Sequence, residues 1–104
     1  MKYLIIGAGG TGGPLGAYLA NAGKDVTFLA RGSYSDAMRE QGFRIIRPAG
    51  DIRLFPVSVE SAETYRDAPD VIFVCVKGYS LPEITPFVRR VARENTIVIP
   101  LLNL

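Results

Sequence analysis

The sequence predicts an α/β fold in which helices cover both faces of a mostly parallel β-sheet. Three observations predict it. Short apolar runs alternate with amphipathic helical patterns along the 104 residues. The run at 71–76 is β-favouring throughout, as in a strand that is buried on both faces of a parallel sheet. A glycine-rich segment joins the first predicted strand to the first predicted helix, as in doubly wound sheets that bind nucleotides.

That glycine-rich segment is a G-x-G-x-x-G motif directly after the predicted strand 2–6. Its first glycine, Gly7, allows a tight turn, Gly9 lets a pyrophosphate approach the backbone, and Gly12 lets the helix pack closely. The helix N-terminus offers free N–H groups and a partial positive charge to the phosphates. We therefore expect a dinucleotide phosphate site formed by Gly7, Ala8, Gly9, Gly10, Thr11 and Gly12. The alternative is that these glycines serve only tight packing.

The helix after the motif is predicted over residues 11–22, because its apolar side chains recur at helical spacing. Those side chains are Leu15, Tyr18, Leu19 and Ala22. Gly16 lies one turn after the motif and lets the helix approach the sheet, and Gly23 is expected to end the helix. A second strand at 26–29 completes one βαβ unit, so the fold expected is of the Rossmann type.

The middle of the chain predicts a short helix and an inserted β-hairpin. The helix covers 35–41 and ends at Gly42, and the hairpin joins 43–47 to 52–55 through a Pro-Ala-Gly-Asp turn. A further extended run follows at 57–59. The signal for a short helix at 61–66 is weak.

The last third of the chain predicts another strand–helix–strand unit. The strand is 71–76, and the final strand is 96–99. The helix between them carries apolar residues at helical spacing, and its start is placed at Thr85 as N-cap with Pro86 in the first helical position.

Composition and charge exclude several classes of protein. With 12 basic and 10 acidic residues the net charge is +2, and the basic residues are scattered, so nucleic acid is not an expected partner. No apolar run approaches the roughly 20 residues that span a bilayer, so no membrane is expected either. The only cysteine, Cys75, excludes an internal disulfide, and no spacing suits a metal. We expect a soluble, cytoplasmic domain.

The end of the second strand predicts which coenzyme is bound. NAD sites usually carry an acidic residue there, whereas NADP sites carry an arginine nearby for the 2′-phosphate. Residues 26–33 contain no carboxylate, and Arg31 lies 24 residues after Gly7. A guanidinium can hold a phosphate with two parallel hydrogen bonds. Arg31 therefore favours NADP over NAD, the alternative being an ordinary surface arginine.

Two more polar residues follow predicted parallel strands. Lys77 comes directly after the strand 71–76, and Asn103 follows the last strand. Ligands of open α/β sheets bind at the carboxyl ends of the strands, so both residues are expected on the same edge as the glycine turn. Taken alone, Lys77 could be a solvated loop lysine and Asn103 a turn residue.

These segments together resemble the N-terminal domain of ketopantoate reductases (2-dehydropantoate 2-reductases). The resemblance is carried by the glycine motif, by Ala-Arg-Gly at 30–32, by Val-Lys-Gly-Tyr at 76–79 and by Pro-Leu-Leu-Asn at 100–103. It implies reduction of ketopantoate to pantoate with NADPH, in pantothenate biosynthesis. It also implies that Arg31 binds the 2′-phosphate side, that Lys77 lies beside the adenosine end, and that Asn103 lies near the nicotinamide ribose and the substrate. The family usually has glycine after that asparagine, where this chain has Leu104.

The resemblance also implies that residues 1–104 are an incomplete N-terminal NADP-binding domain. In the family, a lysine and a glutamate of a C-terminal helical domain assist the reduction, so we expect no catalytic residue in this chain. The chain alone is expected to bind NADPH weakly and to be inactive. The expected small-molecule partner is a 2-oxo acid. A homodimer is a possible assembly.

Two other functions stay open at this point. One is another β-hydroxyacid or opine-type dehydrogenase, which a downstream sequence would distinguish. The other is a regulatory nucleotide-sensing Rossmann module. Such modules usually carry an acidic residue at the end of the second strand, where this chain has Arg31.

Overall fold

The computed structural model describes residues 1–7, 12–76 and 80–101. Within them, seven strands and three helices alternate along the chain. The strands are β1 (Lys2–Ile6), β2 (Asp25–Leu29), β3 (Phe43–Ile45), β4 (Ile52–Leu54), β5 (Ser58–Glu60), β6 (Val71–Val74) and β7 (Ile97–Pro100). The helices are α1 (Gly12–Asn21), α2 (Gly32–Gln41) and α3 (Leu81–Val91).

Five of the strands form one parallel sheet in the order β5-β2-β1-β6-β7. Strand β1 is central: Ile5 is in register with Phe28 of β2 on one side and with Phe73 of β6 on the other. From β1 the chain adds β2 and then β5 on one side of the sheet. It then returns to β1 and adds β6 and β7 on the other side. This reversal between β1 and β6 is the topological switch point of a doubly wound sheet. The predicted Rossmann-type fold is confirmed.

The sheet buries apolar side chains on both faces, because successive residues of a strand point to opposite sides. On one face Leu4 and Ile6 of β1 pack with Phe87 and Val91 of α3. On the other face Ile5 packs with Phe28 of β2, Val59 of β5 and Met38 of α2. Leu4, Ile5 and Phe28 are all at most 1% exposed.

Helix α1 lies on the sheet mainly through small residues, and of the predicted apolar side chains only Leu15 and Leu19 pack against the core. Its buried residues are Gly12, Gly13, Gly16 and Ala17. The predicted face was wrong at Tyr18, which is 47% exposed, and at Ala22, which is also exposed. The physical reason is the close approach of the helix: an added Cβ at Gly16 would overlap the ring of Phe28. The guanidinium of Arg47 instead lies over the ring of Tyr18, with 5.7 Å between the Arg47 Cζ atom and the ring centroid.

The predicted end of α1 is confirmed. Gly23 has φ +84° and donates its N–H to the carbonyl of Ala20 at 3.0 Å. Lys24 donates to the carbonyl of Leu19, also at 3.0 Å. These two bonds form a Schellman motif, which requires the left-handed conformation that glycine adopts freely.

Helix α3 begins five residues earlier than the sequence predicted. Its N-cap is Ser80, and Pro82 lies in its first turn, where the missing N–H would have had no helical partner. Pro86 is inside the helix, so placing the start at Thr85 and Pro86 was wrong. Pro86 has no N–H to donate to the carbonyl four residues earlier, and that carbonyl belongs to Pro82, an exposed residue. The Thr85 hydroxyl donates to the Leu81 carbonyl at 2.8 Å.

The inserted hairpin is confirmed, and the weak helix prediction after it was wrong. Strands β3 and β4 are antiparallel, and the Phe43 ring stacks on the Phe28 ring with 5.6 Å between centroids. Residues 61–66 form a turn instead of a helix. Ser61 and Thr64 close this turn, because the Ser61 N–H donates to Thr64 Oγ1 at 2.9 Å and the Thr64 N–H donates to Ser61 Oγ at 3.2 Å. Side-chain bonds of this kind compete with helical ones.

Candidate functional site

The carboxyl ends of the parallel strands meet at one edge of the sheet, and the first glycine of the motif lies there. Gly7 follows β1 directly and has φ +91°. A Cβ at this position would lie 2.5 Å from the carbonyl oxygen of Cys75 and 2.9 Å from its carbonyl carbon. Cys75 directly follows β6 and its N–H donates to the Ile6 carbonyl at 2.8 Å, so these backbone atoms cannot move aside cheaply. Glycine is therefore required at this turn for both conformation and space.

The third glycine of the motif brings the start of α1 against the same strand ends. A Cβ at Gly12 would overlap the carbonyl oxygen of Gly7 and lie 3.0 Å from the Cβ of Cys75. The close helix packing expected of Gly12 is therefore observed. Four other residues of the predicted phosphate site lie outside the described residues, namely Ala8, Gly9, Gly10 and Thr11.

A cavity of about 280 Å³ opens on this edge, between the end of β2 and the start of α3. Its floor is apolar and includes Ile6, Leu29, Val76, Ile84 and Phe87. Its rim is polar and includes Arg31, Glu63, Ser80 and Glu83. Pockets for small ligands have volumes of about 300–1,000 Å³, so this cavity suits one ring system and its substituents.

Arg31 lies where the sequence predicted it, beyond the end of β2 and on the rim of the cavity. It is the N-cap of α2, with extended backbone and no capping hydrogen bond from its side chain. The guanidinium is free to move because the side chain is 91% exposed. Helix α2 starts at Gly32, earlier than the predicted residue 35. A guanidinium beside an uncapped helix N-terminus is an arrangement that attracts anions.

Two carboxylates on the rim escaped the sequence prediction. Glu63 comes from the turn after β5, and Glu83 comes from the first turn of α3. The Arg31 Nη2 atom lies 4.0 Å from the Glu83 Oε2 atom. The sequence prediction used polar residues that closely follow predicted strands, whereas Glu83 lies inside a helix and Glu63 in a turn. If the sequence prediction had started α3 at Leu81, it would have placed Glu83 in the first turn of that helix, at the carboxyl edge of the sheet.

Lys77 and Asn103 lie outside the described residues, so their roles stay predictions. The residue before Lys77, Val76, lines the cavity. The Leu101 N–H donates to the Val74 carbonyl at 2.8 Å, which continues the pairing of β6 and β7 to the residue after β7.

The thiol of Cys75 lies at the same edge and is half-buried. Burial raises the pKa of this thiol, which disfavours the reactive thiolate. Among the residues described, no three His, Cys, Asp or Glu side chains are grouped as metal ligands. The helices in the same part of the chain are all too short or too polar to cross a membrane.

The topology, the glycine turn and the cavity at the switch point define a Rossmann-type α/β domain. The match to a known protein family identifies the kind of Rossmann-type domain. Residues 3–103 match the family described as ketopantoate reductase PanE/ApbA, and the chain belongs to this family of oxidoreductases.

Individual relatives agree with the family assignment. The chain is 34% identical to the uncharacterized oxidoreductase YkpB of Bacillus subtilis over 99% of this chain and 33% of that protein. It is 32% identical to the 2-dehydropantoate 2-reductase of Pyrococcus abyssi over 94% of this chain and 32% of that protein. A PanE/ApbA family ketopantoate reductase structure from Ralstonia eutropha superposes with a TM-score of 0.88 at 28% identity, over 99% of this chain and 34% of that one. The chain thus spans about a third of the length of these relatives.

Proposed function

We propose that this chain is the coenzyme-binding part of an NADPH-dependent oxidoreductase similar to 2-dehydropantoate 2-reductase. The reaction proposed is reduction of the ketone of a small 2-oxo acid, with ketopantoate to pantoate as the first candidate. The observation that carries the proposal is the position of Arg31, on the rim of a cavity at the switch point of the sheet. This is the edge at which open α/β sheets bind dinucleotides.

The described residues fit a dinucleotide in two respects. Gly7 makes the tight turn at the end of β1, and α1 begins next to that turn at Gly12, so the free N–H groups of the helix N-terminus lie at this edge, where a pyrophosphate would need donors. The cavity beside it has an apolar floor for an adenine ring. The rim of the cavity carries Arg31, and its guanidinium is the cation that a 2′-phosphate would need there. Lys77 and Asn103 are proposed to assist at the adenosine end and at the nicotinamide ribose.

The preference for NADPH follows from the chemistry at the end of β2. Within residues 26–33 the only charged side chain is the guanidinium of Arg31. A carboxylate next to β2 would accept a hydrogen bond from the ribose 2′-hydroxyl of NAD, and none is present in that segment. A guanidinium instead forms two charge-assisted hydrogen bonds to a phosphate. We therefore propose NADP(H) as the coenzyme.

The coenzyme supplies the hydride, and the protein positions it and stabilises the charge that develops on the ketone oxygen. That oxygen becomes an alkoxide and needs a proton donor. We propose that no residue of this chain is catalytic and that a further domain supplies the donor. Consistent with this, the relatives are about three times longer than the chain. We also propose that the chain alone does not reduce ketopantoate, that the enzyme acts in the cytoplasm, and that a homodimer is its possible assembly.

Replacing Arg31 tests the coenzyme assignment. The substitution Arg31→Ala removes an exposed, charge-assisted contact to a phosphate, worth about 1.5–3 kcal/mol in total. We expect the Kd for NADPH to rise by about ten- to a hundredfold, and the Kd for NADH to change by less than about threefold. Both values are measurable from the fluorescence of the reduced nicotinamide on titration with protein.

The matched control is Arg53→Ala, which removes an exposed arginine from β4, outside the cavity lining. It is expected to leave both Kd values unchanged. Equal weakening of NADPH and NADH by Arg31→Ala would contradict the proposed contact with the 2′-phosphate. If neither coenzyme binds the unmodified protein, the proposed function itself is wrong.

A further inference from the structure

The rim of the cavity carries more negative than positive charge among the residues described. Arg31 is its one described cation, and Glu63 and Glu83 are its two described carboxylates. Such a rim is unusual for a site that binds a 2′-phosphate, which itself carries close to two negative charges. Glu83 is the relevant carboxylate because its Oε2 atom lies 4.0 Å from the guanidinium of Arg31.

We infer that Glu83 is a specificity-determining residue whose carboxylate opposes binding of the 2′-phosphate and so limits the preference for NADPH over NADH. This inference rests on the proposed function. A phosphate that forms two hydrogen bonds to the guanidinium of Arg31 would lie close to the carboxylate of Glu83, because that carboxylate is only 4.0 Å from the same guanidinium. The two anions then remain close to each other on the rim.

The opposite role, in which Glu83 positions Arg31 for the phosphate, is disfavoured by the geometry. The pair is long at 4.0 Å, and the side chains are 91% and 72% exposed. Exposed ion pairs of this kind contribute little and do not hold a side chain in one conformation. Removing the Glu83 charge therefore loses little positioning and removes a repulsion.

The two coenzymes differ in how they respond to this charge. The 2′-hydroxyl of NADH is neutral and meets no repulsion from Glu83, and a carboxylate can even accept its hydrogen bond. The 2′-phosphate of NADPH meets the full repulsion. Repulsion between the Glu83 carboxylate and two negative charges on the phosphate, across about 7 Å of water, raises the Kd for NADPH about three- to tenfold at low ionic strength.

The test is the substitution Glu83→Gln in the full chain, with Kd measured for NADPH and for NADH. We expect NADPH to bind about three- to tenfold more tightly at low salt, with NADH unchanged or slightly weaker. In 1 M salt the gain should largely disappear, because the screening length falls to about 3 Å. Glutamine keeps the size and polarity of the side chain, so the change reports on charge.

The control is Glu94→Gln, which makes the same change in net charge in the loop before β7. That loop is at the amino end of β7 and does not line the cavity. The substitution Glu94→Gln is therefore expected to leave both Kd values unchanged. The inference is overturned if Glu83→Gln weakens NADPH binding, changes both coenzymes equally, or acts no differently from Glu94→Gln. Absence of binding by either coenzyme to the unmodified protein would instead refute the proposed function.

Discussion

Substituting Gly16 by alanine tests the contact that brings α1 onto the sheet. The Cβ added at Gly16 would overlap the Cε1 and Cζ atoms of Phe28 and lie 3.1 Å from Cγ1 of Ile5. Neither neighbour can move easily. Phe28 is 1% exposed and Ile5 is fully buried, and the Phe28 ring is also stacked on Phe43.

The size of the effect follows from two opposing contributions. Overpacking a well-filled core costs about 1–3 kcal/mol, and overlap with two atoms of a buried ring places the cost here at the upper end, about 2–3 kcal/mol. Replacing a helical glycine by alanine recovers about 1 kcal/mol of helix propensity. We expect Gly16→Ala to lower the free energy of unfolding by about 1–2 kcal/mol. In a domain of this size each kcal/mol shifts Tm by about 4–8 °C.

The assay is urea unfolding of the wild type, of Gly16→Ala, of Phe28→Leu and of the double variant. Phe28→Leu removes the ring atoms that the new methyl group would meet, at its own cost of about 1–2 kcal/mol. If the clash is the cause, Gly16→Ala should cost little in the Phe28→Leu background, giving a coupling of about 1–2 kcal/mol. A Gly16→Ala protein as stable as the wild type, or fully additive effects, would refute the reasoning.

Two further predictions concern the hydroxyl groups of Tyr65, which is buried, and of Thr96, which is partly buried. Burial raises the pKa of Tyr65 to about 12, so the unfolded chain ionises first and stability should fall as the pH rises from about 10 to about 12. Tyr65→Phe should lessen that alkaline loss, as measured by thermal unfolding across this range, and an unchanged profile would count against it. Thr96 donates its hydroxyl to the Pro69 carbonyl at 2.8 Å and accepts from the Arg93 N–H, also at 2.8 Å. Thr96→Val removes both hydrogen bonds, one of them to a partly buried carbonyl, and should destabilise the protein by about 1–2 kcal/mol, whereas Thr96→Ser should not; equal unfolding midpoints for the two variants would exclude a role for the hydroxyl.

Local sequence signals were sufficient for the strands and for the glycine turn. An apolar run such as 71–76 needs no partner to be recognised, and G-x-G-x-x-G reports its own turn, because glycine is needed there whatever surrounds it. The end of α1 at Gly23 was predictable for the same reason.

The face that α1 buries was decided by tertiary packing. The close approach at Gly16 was predicted and is observed, but helical spacing also placed Tyr18 and Ala22 on the buried face, and both are exposed, whereas Ala17 is buried. How closely a helix approaches a sheet depends on what lies on the sheet, and here that is the buried ring of Phe28. The start of α3 was likewise misplaced, because two prolines each suited a first turn and only packing of the helix chose Pro82.

The amino-acid order by itself determined a doubly wound fold, a glycine turn at the end of β1 and an arginine after β2, because each depends on residues close together in the chain. Only the tertiary structure brought Glu63 and Glu83 to the rim beside Arg31. These three residues come from separate segments, and the electrostatic field of a site depends on distance in space. The charge that a coenzyme meets there therefore depends on how the segments pack.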